Sequence, residues 1–225
     1  CPNKSFKILE SRENLGGTWD LFRYPGIRSD SDMTTMGYRF KPWTGKNLVA
    51  GGDAILDYLN DVVDENGFRD KIQYDSHVTK AWWKSDESKW YVTYQDSTHG
   101  NESIITCNFL YFCVGYYDYE NGHEPEFEGQ SDFNGDIIHP QHWPENLNYK
   151  DKNVVVIGSG ATAVTLIPSM ADETKHITML QRSPTYYMVR PNIDPIGAFF
   201  RRFMGKTVSY FVMRWKNIQL QSWFF

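Results

Sequence analysis

The chain has 225 residues, 40% of them hydrophobic and 16% aromatic, and a formal net charge of −5. This is enough apolar material for one large or two modest cores, and the negative balance argues against a nucleic-acid surface as the main function. No run of eighteen apolar residues is present, so no transmembrane helix is expected.

In chain order, "SFKILE" (5–10) reads as a short buried strand and "SRENLGGTWDLFRYPGIRSDSD" as a long loop. In "GDAILDYLNDVVDENG", Ile55, Leu56, Leu59, Val62 and Val63 recur at helical spacing and Gly67 is a stop signal. The period then changes: "KIQYD", "VTKAWW", "KWYVTYQD" and "SIITCNFLYFCVG" read as strands, with "DESK" and "DSTHGNE" as turns. Residues 116–150 are loop-rich. "NVVVIG" (153–158) reads as a buried strand, "ATAVTLIPSMA" as a helix and "HITMLQRS" (176–183) as a further strand. After Pro195 the tail is expected to be helical, because Phe200, Phe203, Met204, Val208, Phe211, Trp215 and Ile218 recur every three or four residues.

The three cysteines are Cys1, Cys107 and Cys113. An odd, sparse count fits a reducing compartment, so a cytoplasmic location is expected. On one continuous strand, Cys107 and Cys113 would share a face about 20 Å apart, too far for a disulfide. They are expected to be core thiols, and no metal site is expected.

The clearest chemical unit is strand, "GSGATA", helix, strand. Gly158, Gly160 and Ala163 match G-x-G-x-x-G/A, with Ser159, Ala161 and Thr162 completing the turn. Gly158 permits the tight turn, Gly160 lets a pyrophosphate approach the backbone, and Ala163 lets the helix pack close. The helix N-terminus supplies N–H groups for phosphates. The flanking elements favour dinucleotide binding over a chance glycine turn. At the end of the second strand, where an acid would meet a free ribose hydroxyl, the chain has Gln181, Arg182 and Ser183. A cation with a hydroxyl suits a 2′-phosphate, hence NADP; the plain alternative for Arg182 is a solvated strand-end charge.

Glu10 ends the strand "SFKILE", where a nucleotide ribose would want an acid; alone, it reads equally as a surface Glu. The glycine loop that should precede it by some twenty residues falls outside the chain. The loop after Glu10 strengthens the ligand reading. Gly16 and Gly17 can bring backbone against a flat ligand, and Trp19, Arg23, Tyr24 and Asp30 are costly residues for a plain loop. "FLYFCVG" (109–115) is an apolar strand ending in Gly, suited to returning to the same sheet.

"GGTWDLFRYPGIRSDSDM", the "CVG" strand end, F-x-G-x-x-x-H-x-x-x-W-P from Phe133 to Pro144, and "GSGATA" occur in this order. Together they resemble a type I Baeyer–Villiger monooxygenase of the flavin-containing monooxygenase superfamily. "RYPGIRSDSDM" and "WPENLNYKDKNVVVIGSGATAVTLIPSMA" are especially similar to the ethionamide-activating subgroup. The resemblance spans nearly the whole chain but only about half of a full-length member. It implies an α/β fold with two Rossmann-like domains, for FAD and NADP, both incomplete here, with an inserted antiparallel β region. The expected domains are 1–140 (partial FAD-binding), 141–150 (linker) and 151–225 (partial NADP-binding, with the start of a helical insertion).

By resemblance, FAD would be met by Glu10, Gly16, Gly17, Thr18, Trp19, Arg28 and Asp30, and NADP(H) by Gly158 to Ala163, Arg182 and Ser183. Phe133, Gly135, His139, Trp143 and Pro144 would form a linker that holds the domains in one pose: Phe133 and Trp143 packing, Gly135 turning, His139 hydrogen-bonding across. Without the family, His139 reads as a structural histidine. The implied reaction is NADPH- and O2-dependent oxidation of a small ketone to an ester or lactone, or of thioamide or thioether sulfur, through a C4a-peroxyflavin. Asp30 would orient an active-site Arg that lies beyond Phe225; on its own it reads as a turn-capping Asp. The subgroup usually has an aromatic where this chain has Thr34, which bears on the substrate side. An N- or S-oxidising flavin monooxygenase and an inactive NADP-binding fragment are the alternatives; Trp143-Pro144 argues against the first. The isolated chain is expected to retain little FAD and to be inactive. The tail carries Arg201, Arg202, Lys206, Arg214 and Lys216 and no acid after residue 195. This allows a basic membrane-surface helix, but a helical insertion in the NADP domain is the preferred reading.

Overall fold

The computed structural model describes residues 3–96, 99–187 and 191–224; Cys1 lies outside them. The fold is α/β. Two pairs of parallel strands flank an antiparallel sheet in the sequence, and the chain separates into two compact units: 1–21 with 56–141, and 22–55 with 142–225.

In the first unit, β1 (Ile8–Leu9) pairs in parallel with β2 (Ile72–Gln73), Ile8 opposite Ile72. A short helix, α1 (Thr18–Leu21), follows β1, and α3 (Gly52–Glu65) runs into this unit before β2. Of the apolar residues expected to line α3, Ile55, Val62 and Val63 are buried and Leu56 and Leu59 half-buried; Tyr58 is buried with them, and Gly67 at φ +63° ends the helix. Next come β3 (Ser76–Lys84), β4 (Lys89–Asp96) and β5 (Glu102–Cys107), an antiparallel meander. Trp82 stacks on Tyr91 at 5.4 Å and Trp83 meets Trp90 edge-on at 5.7 Å, as cross-strand aromatic pairs do.

The expected strand "SIITCNFLYFCVG" stops at Cys107. Phe109, Tyr111, Phe112 and Val114 are exposed and none is in a strand. The apolar pattern is present, but a strand needs a ladder partner for its N–H and C=O groups, and none of the described strands pairs with it. The expectation of core thiols fails with it: Cys107 is half-buried and Cys113 exposed, both free.

In the second unit, β6 (Asn153–Ile157) and β7 (His176–Leu180) pair in parallel, with α4 (Ala161–Met170) between them. β6 is not buried on both faces as expected. Val154 and Val156 are half-buried while Val155 and Ile157 are exposed. α4 covers one face of this two-stranded ladder, so burial alternates with the pleat. α4 buries Ala163, Leu166 and Met170. The loop before α3 packs on its far side: a Cβ on Gly26, at φ +82°, would stand 2.5 Å from the Thr165 carbonyl oxygen and would also strike Ser169.

The tail is helical, as the periodicity predicts, and its recurring apolar stripe faces mostly outward. α5 (Pro195–Phe224) breaks at Gly205 (φ 72°, ψ 170°). Among the residues it buries are Gly197, Ser209, Tyr210, Met213 and Asn217, while Phe203, Met204, Val208, Phe211, Trp215 and Ile218 face outward. Polar anchoring explains this. Arg214 donates to the carbonyls of Thr34, Thr35 and Gly37 at 2.6, 3.1 and 3.3 Å. Lys216 pairs with buried Asp194, which also caps α5 by accepting from the N–H groups of Ile196 and Gly197 at 2.9 and 3.1 Å. Arg201 donates to the Gly45 carbonyl at 3.1 Å. Three of the five tail cations are thus held by internal bonds, which weakens the membrane-surface reading. No helix among the described residues is long and apolar enough to cross a membrane.

The second short helix, α2 (Met33–Met36), is capped by Asp32 and lies under α5. Asp32 is buried. It accepts from the Thr35 N–H at 3.1 Å, from Asn217 Nδ2 at 2.8 Å, from Gln221 Nε2 at 3.4 Å and from both threonine hydroxyls, Thr34 and Thr35.

Gly26→Ala should lower stability by about 2–3 kcal/mol, because the residue gains both a strained φ and a backbone clash; the urea midpoint of the full-length gene product reads it. Acid should weaken the same unit. Burial raises the Asp32 carboxyl, but hydrogen bonds from Thr34, Thr35 and Asn217 outweigh it and hold the group below its ordinary range. Asp194 behaves likewise, burial opposed by Lys216 and the α5 N–H groups. A depressed carboxyl contributes stability that is full above its unfolded value, about 3.9, and lost as pH falls through the folded value. The thermal unfolding temperature of wild type should therefore decline below about pH 4 more steeply than that of Asp32→Asn.

Candidate functional site

The glycine turn after β6 is built as a phosphate cradle requires. Gly158 has φ +118°, a conformation that excludes ordinary side chains, and its N–H bonds the Leu180 carbonyl at 2.8 Å. Gly160 is the N-cap of α4. Its φ of −78° and ψ of −175° are open to any residue, and a Cβ there would meet nothing within 4 Å. Neither backbone strain nor internal packing therefore demands glycine at this position. The unfilled space lies outside the fold, over the first turn of α4, whose leading N–H groups have no partner within the helix. Ala163, in contrast, is buried. Ala161 is exposed and Thr162 half-buried in the same turn. The residues fit a pyrophosphate.

Arg182 and Ser183 follow β7 and are exposed. The segment just beyond them returns to the glycine turn: Ser159 Oγ lies 2.8 Å from Thr185 Oγ1 and 3.4 Å from the Ser183 carbonyl, and the Tyr187 hydroxyl donates to the Ser159 carbonyl at 3.0 Å. Nothing in the sequence marks Thr185 and Tyr187. Hydroxyl groups in an irregular segment carry no periodic signal, and only their distance from Ser159 reveals them.

In the first unit, Glu10 directly follows β1 and extends it: its N–H bonds the Gln73 carbonyl at 2.9 Å and its carbonyl takes the Ser76 N–H at 2.8 Å. Its carboxylate accepts from the Arg12 N–H at 3.0 Å. Arg12 in turn bonds buried Asp20 through Nε at 3.0 Å and Nη2 at 2.6 Å, and its guanidinium lies 5.9 Å from the Tyr119 ring centre. Strand end and α1 are thereby fixed to each other; Gly16 and Gly17 lie in the turn between them, and Thr18 and half-buried Trp19 open α1. Gly16 (φ +125°) and Gly17 (φ +54°) need glycine conformationally, but here the neighbours are the protein's own: Leu56 at Gly16 and the Tyr119 hydroxyl, 3.1 Å from a Cβ, at Gly17. Sequence reasoning does not single out Arg12, Asp20 or Tyr119. An Arg and an Asp eight residues apart in a loop predict no pairing.

Arg28 and Asp30 belong to the second unit. Arg28 forms an isolated antiparallel bridge with Gly51. Asp30 is exposed, between buried Ser29 and the Asp32 cluster. The Ser29 N–H bonds the Ala50 carbonyl at 2.8 Å and that of Met33 bonds the Leu48 carbonyl at 2.7 Å.

The fingerprint residues divide between the units: Phe133, Gly135 and His139 lie in the first, Trp143 and Pro144 in the second. Phe133 is exposed, its ring laid over Gly135, where a Cβ would come within 2.7 Å of it. His139 Nδ1 accepts from the Gln141 N–H at 3.2 Å, and the ring fills the space beside Gly122, its Nδ1 2.6 Å from a Cβ there. Gln141 is buried and donates to the Asp118 carbonyl at 2.6 Å. Trp143 meets Tyr149 edge-on at 6.3 Å, and exposed Pro144 starts a turn closed by the Leu147 N–H at 3.3 Å.

Comparison with known proteins agrees with this geometry. The family model described as flavin-binding monooxygenase-like matches residues 46–224. The FAD-containing monooxygenase EthA of Mycobacterium tuberculosis is 53% identical over 223 residues, covering 99% of this chain and 45% of the relative. The chain thus spans about half the length of such relatives. Among solved structures, an oxidized steroid monooxygenase bound to NADP superposes with a TM-score of 0.74 at 28% identity, covering 93% of this chain and 39% of that one. A cyclohexanone-bound cyclohexanone monooxygenase gives 0.70 at 30%, covering 86% and 37%. With about four-fifths of its residues matched by one family model and its glycine cradle in the expected βαβ setting, the chain belongs to the flavin-binding monooxygenase-like family.

Proposed function

We propose that the protein carrying this chain is a FAD- and NADPH-dependent monooxygenase that inserts one oxygen atom of O2 beside a ketone carbonyl, giving an ester or lactone, and that also oxidises thioamide or thioether sulfur. For a ketone the balance is ketone, O2, NADPH and a proton to ester, NADP⁺ and water. The observation that carries the reading is the open space over Gly160 at the N-terminus of α4. A related steroid monooxygenase structure contains NADP and a cyclohexanone monooxygenase structure contains a ketone.

In this reading the NADP pyrophosphate lies over Gly158–Gly160, taking the N–H groups of the first turn of α4. Arg182 and Ser183 meet the 2′-phosphate. Glu10 takes the ribose of FAD, and Gly16 to Trp19 with Arg28 border the flavin. The flavin, when bound, supplies oxygen activation. Asp30 contributes a fixed negative charge that orients a cationic side chain elsewhere in the protein, and Phe133, Gly135, His139, Trp143 and Pro144 set the relation between the two nucleotide sites. Residues 1–140 and 151–225 would serve the FAD and NADP sides, joined by 141–150. The partners are small molecules and O2.

The full-length gene product should purify with bound flavin, oxidise NADPH faster when a cyclic ketone is added, and yield the lactone by mass spectrometry. A flavin-free protein, or one that oxidises sulfides and amines but no ketone, would overturn the ketone reading. Arg182→Ala should raise the KM for NADPH about tenfold, the loss expected for one charge-assisted contact, and leave that for NADH nearly unchanged. An equal rise for both would remove Arg182 from the 2′-phosphate.

A further inference from the structure

We propose that Asn217 of α5 is a positioning residue for Asp30, acting on it through the buried Asp32, with Arg214 holding the end of α2 that follows. The inference rests on the monooxygenase reading above, which gives Asp30 its task.

Asp30 stands on a two-residue exposed tip, Asp30–Ser31, between residues that are almost wholly buried, Ser29, Asp32 and Met33. The entry to the tip is fixed by the Ser29 N–H on the Ala50 carbonyl at 2.8 Å, and the Ser29 hydroxyl spans the tip, donating to the Ser31 carbonyl at 2.5 Å and accepting from the Ser31 N–H at 3.0 Å. The exit is fixed from α5. Asn217, fully buried, donates from Nδ2 to Asp32 at 2.8 Å and to the Thr34 hydroxyl at 2.9 Å. Arg214 holds the carbonyls of Thr34, Thr35 and Gly37, the C-terminal end of α2, where a cation is favoured by both the unpaired carbonyls and the helix dipole.

A buried carboxylate is costly unless hydrogen-bonded. Asp32 has five such donors, two of them on α5, so it cannot shift without leaving a buried charge short of partners. The backbone two residues earlier is therefore confined as well. Thr34 takes part in this cluster through its hydroxyl. Its polar side chain closes the link between Asp32 and Asn217. α5 thus acts as a brace that determines where the Asp30 carboxylate stands.

The test uses the full-length gene product and the variants Asn217→Ala, Asn217→Gln and Thr34→Val, with Asp30→Ala as reference. Hydrogen–deuterium exchange of the amides of 29–37 should quicken at least about tenfold in Asn217→Ala, as expected for loss of one hydrogen bond to a buried charge, and in the same direction in Thr34→Val. Unchanged exchange there overturns the proposal whatever the enzyme does. Where wild type is active, Asn217→Ala should divert NADPH oxidation from product to hydrogen peroxide and lower kcat with little change in KM, and Asn217→Gln should recover part of the loss. Combined with Asp30→Ala, Asn217→Ala should add almost no further loss of kcat. Full additivity would mean that Asn217 serves stability alone and would overturn the proposal. An inactive, flavin-free wild type would count against the monooxygenase reading only, because the exchange result stands apart from it.

Discussion

The second unit is organised around a carboxylate that has no way to remain buried except by recruiting donors. Asp32 accepts from its own helix N-terminus, from two threonine hydroxyls and from two amides of α5. Its donors come from positions up to 189 residues away, so satisfying one charge brings the two ends of the unit together. An apolar core tolerates sliding; a carboxylate with directed partners does not. This accounts for the orientation of α5 beyond its break at Gly205, which buries Ser209 and Asn217 and leaves Phe211, Trp215 and Ile218 outside. Rotating the helix to bury them would strip Asp32 of two donors, Asp194 of Lys216, and three carbonyls of Arg214.

The glycines separate two kinds of constraint. At Gly26 and Gly16 the space of a side chain is already filled by the protein, by the backbone of α4 in one case and by Leu56 in the other. At Gly158 and Gly160 nothing stands within 4 Å of a Cβ. The first pair explains itself by packing. The second does not, and for Gly160 even the backbone angles give no reason for glycine. A residue type that the fold leaves unexplained points outward, to a ligand brought close to the main chain.

How far the sequence could be read depended on the range of the interaction. The period-3.6 pattern of α3 and the β6–α4–β7 unit are local, and both formed close to their expected bounds. The glycine turn was legible because its chemistry sits in six consecutive residues. The strand expected over 109–115 failed because an apolar run specifies a strand only if a neighbour supplies its ladder, and no local signal reports the neighbour. Which face of α5 is buried was not legible for a related reason: periodicity finds stripes but cannot tell which one the rest of the chain will need. Asn217, the Arg12–Asp20 pair and the Gln141–Asp118 bond left no trace in the sequence. Each joins polar residues whose partners lie at separations without a period.

Rigidity and exposure are usually opposed, because a group held by many contacts is also covered by them. The segment from Ser29 to Met33 resolves the conflict by alternating the two along the chain. Ser29, Asp32 and Met33 carry the burial, and Asp30 and Ser31 are left exposed between them. An exposed carboxylate so mounted keeps its charge in solvent reach while its backbone is confined from both sides. That is the requirement for a group whose work is to hold a second charge in place, since electrostatic preorganisation depends on a fixed position more than on a strong bond.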